Sequence, residues 1–280
     1  MGAVMYHPVN SLVRLHRQGY VKGEIIPGHC TAILMATAAE IRTGNLVAGA
    51  EALGIVLTDA QARRFVRYYA ELARWNERVN LTAITDWDAA QSLHFLDSLS
   101  AARALSPELL ASGEFVDVGS GGGFPGIPMK LAFDGMRGTL LDSTAKKTAF
   151  LSHAVETLEL RDMSVRTGRA ETLAHDADMR ERFDIAFARA VAEVAALAEL
   201  TLPFVRVGGV VVLHKKADIA AELSRAETAL DTLGGSLRES LPVSISGMLG
   251  DRTLVVIEKH SRTPARYPRR PGMPAKRPLR

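Results

Sequence analysis

A chain of 280 residues with 47% apolar and 23% charged side chains can bury a full core, so one large domain with appendages is expected and wholesale disorder is excluded. A formal net charge of +3 names no partner by itself. The single cysteine, Cys30, excludes an internal disulfide, no cysteine and histidine cluster has zinc spacing, and no apolar stretch approaches the roughly 20 residues of a bilayer span. The expectation is a metal-free, cytoplasmic protein with no membrane partner.

Residues 1–34 hold one acid, Glu24, beside Arg14, Arg17 and Lys22, with little periodicity. Targeting segments are acid-poor, but this one is neither Ser-rich nor clearly amphipathic. Met35, followed by Ala36-Thr37-Ala38-Ala39-Glu40, would serve as a natural start, so residues 1–34 are expected to be a poorly ordered extension. Residues 35–112 are read as an N-terminal helical cap. Thr58 and Gln61 form a capping box, and Phe65, Tyr69, Leu72 and Trp75 recur on one helical face. A second helix from about Asp86 is expected to turn Leu93, Leu96 and Leu99 inward. Asn80 would end the first helix.

After Pro107 and Gly113 the period changes, and short β-rich runs alternate with helical segments, which argues for βαβ units over residues 113–259. The strand candidates are residues 115–118, 139–142, 164–167, 183–188 and 210–214. A later pair, near 243–246 and 253–258, has no room for a helix between its members and should form an antiparallel hairpin at a sheet edge.

The strongest signal is Asp117-Val118-Gly119-Ser120-Gly121-Gly122-Gly123-Phe124-Pro125-Gly126, between a strand and a helix that Pro128 can open. Glycine lets the backbone approach a ligand with no Cβ in the way, and a helix N-terminus offers free N–H groups to an anion such as a methionine carboxylate. Asp142 ends the second strand, where a carboxylate can accept from a ribose diol. That position suits any nucleoside cofactor. Gly121, Gly123 and Gly126 loosely match G-x-G-x-x-G, which keeps a nicotinamide oxidoreductase in play, and a glycine-rich turn without ligand is the plainest alternative. The Asp-x-Gly-x-Gly-x-Gly pattern from Asp117 fits a methyltransferase loop better, and no second domain remains to hold a hydride partner. The fold expected is α/β, a class I S-adenosylmethionine-dependent methyltransferase: Rossmann-like, mostly parallel, with a terminal antiparallel hairpin and a helical N-terminal cap.

Over roughly residues 53–280 the chain resembles the bacterial small-subunit (16S) ribosomal RNA guanine-N7 methyltransferases, the RsmG or GidB family. The ordered motifs are Trp75-Asn76 with Asn80-Leu81-Thr82, His94 with Asp97-Ser98, the run 117–128, Leu141-Asp142-Ser143, Gly168-Arg169-Ala170-Glu171, Ala188-Arg189-Ala190, and Tyr267-Pro268-Arg269-Arg270-Pro271-Gly272. The resemblance implies transfer of a methyl group from S-adenosylmethionine to guanine N7 in small-subunit ribosomal RNA, free or within a ribosomal particle. It implies that Gly119 and Phe124 contact the cofactor from the first loop, that Ala170 and Glu171 lie on its adenine side, and that Arg189 lines the same pocket. Gly121 joins this set through its place in the loop. Lys215-Lys216 departs from the family, which often has Lys-Gly there.

Guanine N7 carries an exposed lone pair, so no general base is demanded and no catalytic residue is assigned. His94 and Asp97, three apart on a helix, share a face, and the simpler reading is that they tie the N-terminal helices to the sheet. Trp75 continues an apolar stripe and is read as core. Lys146 and Lys147 serve equally as RNA contacts or as a solvated helix face.

After Glu258 there is no acid, while eight Lys and Arg side chains alternate with five prolines over residues 259–280. Such a segment is expected to form neither helix nor core. Residues 260–280 are read as a basic Pro-rich tail that binds RNA phosphate, whose loss would weaken RNA binding and leave S-adenosylmethionine binding intact. A noncatalytic RNA-binding module is the third reading, with the glycine loop as the objection to it.

Overall fold

The computed structural model describes residues 43–189, 192–216, 219–245 and 252–280. The expected extension at residues 1–34, with Cys30 and Met35, lies outside them.

A seven-stranded sheet runs in the order β3-β2-β1-β4-β5-β7-β6. Its strands are β1 (Glu114–Val118), β2 (Arg137–Asp142), β3 (Met163–Thr167), β4 (Phe183–Ala188), β5 (Val205–Lys216), β6 (Gly235–Val243) and β7 (Arg252–Lys259). The first five are parallel, and β7 lies antiparallel between β5 and β6. This is the expected class I arrangement. The central strands β4 and β5 are buried along most of their apolar length, as parallel strands covered on both faces must be. Because β1 is flanked by β2 and β4, the chain reverses its winding there, and a crevice opens outside the carboxyl ends of those strands.

The sixth strand departs from expectation, occupying Gly235–Val243 rather than 243–246. It is an edge strand, so Arg238 and Glu239 can face solvent and Pro242 is tolerated near its end. A polar, proline-containing segment of this kind carries little strand signal. Ser246 lies outside the described residues.

The N-terminal helix Asp59–Val79 has the full capping box of Thr58 with Gln61, and Asn80, with φ 47°, ends it in the left-handed region. Phe65, Tyr69 and Leu72 are buried on the expected face. Trp75 packs against Phe150 and His153 at ring separations of 5.8 and 5.2 Å, a core role. The second helix starts where expected, with the Asp86 carboxylate accepting from Ala89 N–H at 2.8 Å. It is not regular: α geometry at Trp87–Ala90 passes into a π turn at Gln91–Leu96, then α at Asp97–Leu99 and 3-10 at Ser100–Ala104. The extra residue in the π turn rotates the face, so Leu96 and Leu99 are buried while Leu93 is only half-buried and borders a cavity.

The tail also differs from expectation. Residues 260–280 pack as an irregular strap with a short helix at Met273–Lys276 and a buried Tyr267. Arg269 forks onto the fully buried Glu199, with Nη2 to Oε2 at 2.6 Å and Nε to Oε1 at 2.9 Å, and its backbone N–H adds a bond of 2.8 Å. Arg180 donates to the carbonyls of Thr263 and Tyr267. Proline does prevent a long helix, but buried acids elsewhere in the chain supply the counter-charges that let the strap pack. Composition of the tail alone conceals them. Among the described residues no helix is long and apolar enough to cross a membrane.

Candidate functional site

The loop after β1 is built to be rigid. Gly119 and Ser120 N–H both donate to the Leu141 carbonyl, at 2.8 and 2.9 Å, which bends the loop over the end of β2. Asp117 is fully buried, and its Oδ2 accepts from Ser120 Oγ at 2.6 Å and Gly126 N–H at 3.0 Å, closing the loop on itself. Burial raises the Asp117 carboxyl to about 6 despite these donors. Asp117 is therefore a strut for the loop. A Cβ at Gly126 would stand 2.5 Å from Leu140 Cδ2 and 2.9 Å from Asp117 Oδ2, so glycine is required there for packing. Gly119 is different: its φ is +76°, and a Cβ would meet nothing within 4 Å. The space above it is open.

Asp142 at the end of β2 is tied to the same loop. Its Oδ2 accepts from Gly121 N–H at 3.1 Å and its Oδ1 from Thr144 N–H at 2.8 Å, which fixes the carboxylate and leaves each oxygen a further lone pair. After β3, Ala170 opens the short helix Ala170–Leu173. Glu171 is buried, and its carboxylate is taken up by Arg169, with Nη2 to Oε1 at 2.8 Å, and by Gly272 N–H of the tail at 2.8 Å. Burial pushes its carboxyl up, but these donors outweigh it and the net shift is downward.

After β4, Arg189 lies over the Phe124 ring, its Cζ 4.6 Å from the centroid, and His94 stacks on the same ring at 4.3 Å. Arg189 Nη1 donates to Asp97 Oδ2 and to the Leu93 carbonyl, both at 3.1 Å, and Nη2 approaches His94 Nδ1 at 3.3 Å. Since arginine only donates, Nδ1 of His94 is bare, and Nε2–H faces Thr82 Oγ1 at 2.7 Å. Burial, with the Arg189 charge second, lowers His94 to about 4, so the ring is neutral at physiological pH. His94 and Asp97 thus tie the N-terminal helices to the sheet, as the simpler sequence reading has it, and they do so at the wall of a cavity.

That cavity, of about 610 Å³, opens beside Arg189 at the carboxyl ends of β4 and β5, with Ile84, Leu93 and Ile219 as apolar walls and Asp97 and His214 among its polar ones. Lys215 is held in its wall by Glu222 at 2.7 Å and by the Ala192 carbonyl. The structure therefore brings Gly119, Gly121, Phe124 and Asp142 together on the loops after β1 and β2, with Ala170 and Glu171 after β3 and Arg189 after β4. These positions follow four neighbouring parallel strands, and of them Arg189 lines the cavity. Sequence reasoning missed Tyr68, whose buried hydroxyl donates to the Gly122 carbonyl and braces the loop, and His214 at the end of β5. Tyr68 follows Phe65 at helical spacing, and His214 breaks an apolar strand at its carboxyl end; those were the available signals.

The family model described as rRNA small subunit methyltransferase G, GidB, matches residues 61–245. A ribosomal RNA small subunit methyltransferase G of Roseiflexus sp. (strain RS-1) is 49% identical over 230 residues, covering 82% of this chain and 97% of that protein. One of Dehalococcoides mccartyi (strain CBDB1) is 45% identical over 235 residues, covering 84% and 99% respectively. Among solved structures, an O-methyltransferase from Bacillus cereus in complex with SAH aligns at a TM-score of 0.48 and 18% identity, over 69% of this chain and 91% of that one. With identity of this order along nearly the whole of each relative, the chain belongs to the GidB family of ribosomal RNA small subunit methyltransferases G.

Proposed function

We propose that the protein transfers the methyl group of S-adenosylmethionine to N7 of a guanine in small-subunit ribosomal RNA, in the cytoplasm, on free RNA or an assembling particle. The observation that carries this reading is the open space above Gly119 beside the fixed Asp142 carboxylate, in a chain of this family. Gly119 and Gly121 would admit the cofactor backbone, Asp142 its ribose diol, Ala170 and the Glu171 loop its adenine side, and Phe124 with Arg189 the end nearest the cavity. When bound, S-adenosylmethionine supplies an electrophilic methyl group on a sulfonium. Nicotinamide chemistry and a noncatalytic RNA-binding role are not favoured by the family.

Guanine N7 attacks through a lone pair it already has, so the chain need not remove a proton. The residues act by orientation, a contribution that reaches roughly 7 to 11 kcal/mol in favourable cases. Arg189 has the rigidity this requires, since Asp97, the Leu93 carbonyl and the Phe124 face fix its guanidinium. The exposed Arg270, Lys276 and Arg280 of the tail suit RNA phosphate and predict steep salt dependence. The test is transfer of labelled methyl to unmodified small-subunit ribosomal RNA followed by nucleoside analysis. Label in 7-methylguanosine is expected; cofactor binding with label in any other nucleoside would overturn the N7 assignment.

A further inference from the structure

The cavity beside Arg189 carries an excess of positive charge on one part of its wall. The acids that line it among the described residues are each engaged: Asp97 Oδ2 by Arg189 at 3.1 Å, Glu222 by Lys215 at 2.7 Å, and Glu193 by Arg225 at 3.9 Å. Arg252 has an ion-pair contact of 3.4 Å with Asp97, a carboxylate that Arg189 already holds. Lys216 lines the same wall, is exposed, and has no ion pair with any described residue.

The sheet sets these two cations side by side. Lys216 ends β5 and stands directly opposite Arg252, the first residue of β7, in the antiparallel register. Their Cα atoms are therefore about 4.5–5.5 Å apart, with both side chains on one face of the sheet. His214, two residues before Lys216, shares that face and also lines the cavity. Like charges directly opposite one another repel across a ladder, so the arrangement is favourable when an anion lies against both. Both cations are within reach of one: Lys216 is exposed, and the Arg252 side chain is 23% exposed.

We propose that Lys216, with Arg252 beside it, holds a backbone phosphate of the substrate RNA at the cavity and so positions the strand for methyl transfer. This rests on the methyltransferase reading above, and it places an RNA contact outside the C-terminal strap. A phosphodiester is the anion that a chain acting on RNA brings to its reacting site, and phosphate contacts fix the register of the strand without reading its sequence. The ammonium of Lys216 suits phosphate as a mobile point charge, and the Arg252 guanidinium suits it as a planar fork. Arg189 does not supply this contact, because Asp97, the Leu93 carbonyl and the Phe124 ring already fix its guanidinium.

The experiment measures binding of fluorescently labelled small-subunit RNA against KCl concentration for the wild type, Lys216→Gln and Lys216→Arg. In Lys216→Gln the slope of log affinity on log salt is expected to become shallower by about 0.7–0.9, the share of one phosphate contact, while Lys216→Arg keeps the wild-type slope. Lys216→Gln should also raise KM for RNA severalfold and leave kcat at saturating RNA within about twofold, since the contact is made equally in the ground and transition states. Its calorimetric affinity for S-adenosylmethionine should be unchanged, which also shows that the variant is folded. An unchanged salt slope in Lys216→Gln overturns the proposal. A loss of S-adenosylmethionine affinity overturns it too, and would give the lysine to the cofactor carboxylate instead. Failure of the wild type to methylate small-subunit RNA at all overturns the methyltransferase reading itself, and the positioning role with it.

Discussion

Replacing Arg269 with Met tests whether the C-terminal strap is part of the fold. Glu199 is fully buried, and Arg269 covers its carboxylate with a bidentate fork at 2.6 to 3.1 Å. Removing one partner of a buried pair is destabilising by about 3–5 kcal/mol because an uncompensated charge remains. Arg269 is itself a quarter exposed, and its backbone N–H would still reach Glu199, so the lower end, about 3 kcal/mol, is expected. Urea denaturation followed by circular dichroism reads this directly. The double variant Arg269→Met with Glu199→Met should recover to within about 1 kcal/mol of the original, since apolar replacement of both partners is often neutral. Arg269→Met should also weaken S-adenosylmethionine binding severalfold, because releasing the strap withdraws Gly272 N–H from Glu171. The composition of residues 260–280 argues that cofactor binding is independent of the tail; the geometry argues that it is not. A loss below about 1 kcal/mol, with cofactor affinity unchanged, would refute the clamp and restore the solvated tail.

Gly119→Ala should lower cofactor affinity by an order of magnitude or more in calorimetry, because φ of +76° strains any L side chain by about 1–2 kcal/mol and the new methyl fills the open space. An unchanged affinity would move the cofactor elsewhere. Asp142→Ala should weaken the cofactor and also loosen the loop, since the N–H groups of Gly121 and Thr144 both lose their acceptor; hydrogen exchange at those amides would show it. Stability should fall on acidification. His94 and His214 are each lowered by burial from 6.5 to about 4, so between those values the unfolded chain takes up protons that the folded one refuses. Asp117, raised from 3.8 to about 6, holds a proton the unfolded chain loses and opposes one of the two histidines. The net slope is about 1.4 kcal/mol per pH unit, and denaturation midpoints that stay flat from pH 6.5 to 4.5 would contradict it.

Much of this molecule is legible in its sequence because local chemistry and tertiary placement agree. The Thr58 and Gln61 capping box, the apolar stripe to Trp75, and the β1 glycine loop each need only neighbours in the chain to be understood. Asp142 is legible because a carboxylate ending the second parallel strand is placed by topology beside the first loop. Glu171 is only half legible. Its position after β3 reads as cofactor-facing, yet Gly272, 101 residues away, takes one of its oxygens, and no pattern near residue 171 announces that partner. The edge strand β6 fails for another reason: with one side unpaired, it can use residues that a central strand would exclude.

The cavity wall was the least legible part, and the reason bears on how the site would work. Asp97 and His214 stand 117 residues apart, one on an irregular helical turn and the other at the end of a strand, and neither belongs to a motif with the other. The π turn at Gln91–Leu96 makes their meeting possible, since the added residue swings Asp97 toward the sheet, where its carbonyl finds His214 and its carboxylate finds Arg189. Arg189 in turn lies on Phe124, which belongs to the glycine loop. One continuous chain of contacts therefore runs from the loop that would hold the methyl donor through Arg189 and Asp97 to His214 in the cavity wall. A shift in that loop is transmitted to Asp97 through a stacked guanidinium and a single ion pair, so Phe124→Leu should impair RNA methylation more than S-adenosylmethionine binding. If cofactor affinity fell as steeply as kcat/KM for RNA, Phe124 would be acting on the cofactor alone and the connection through Arg189 would carry nothing.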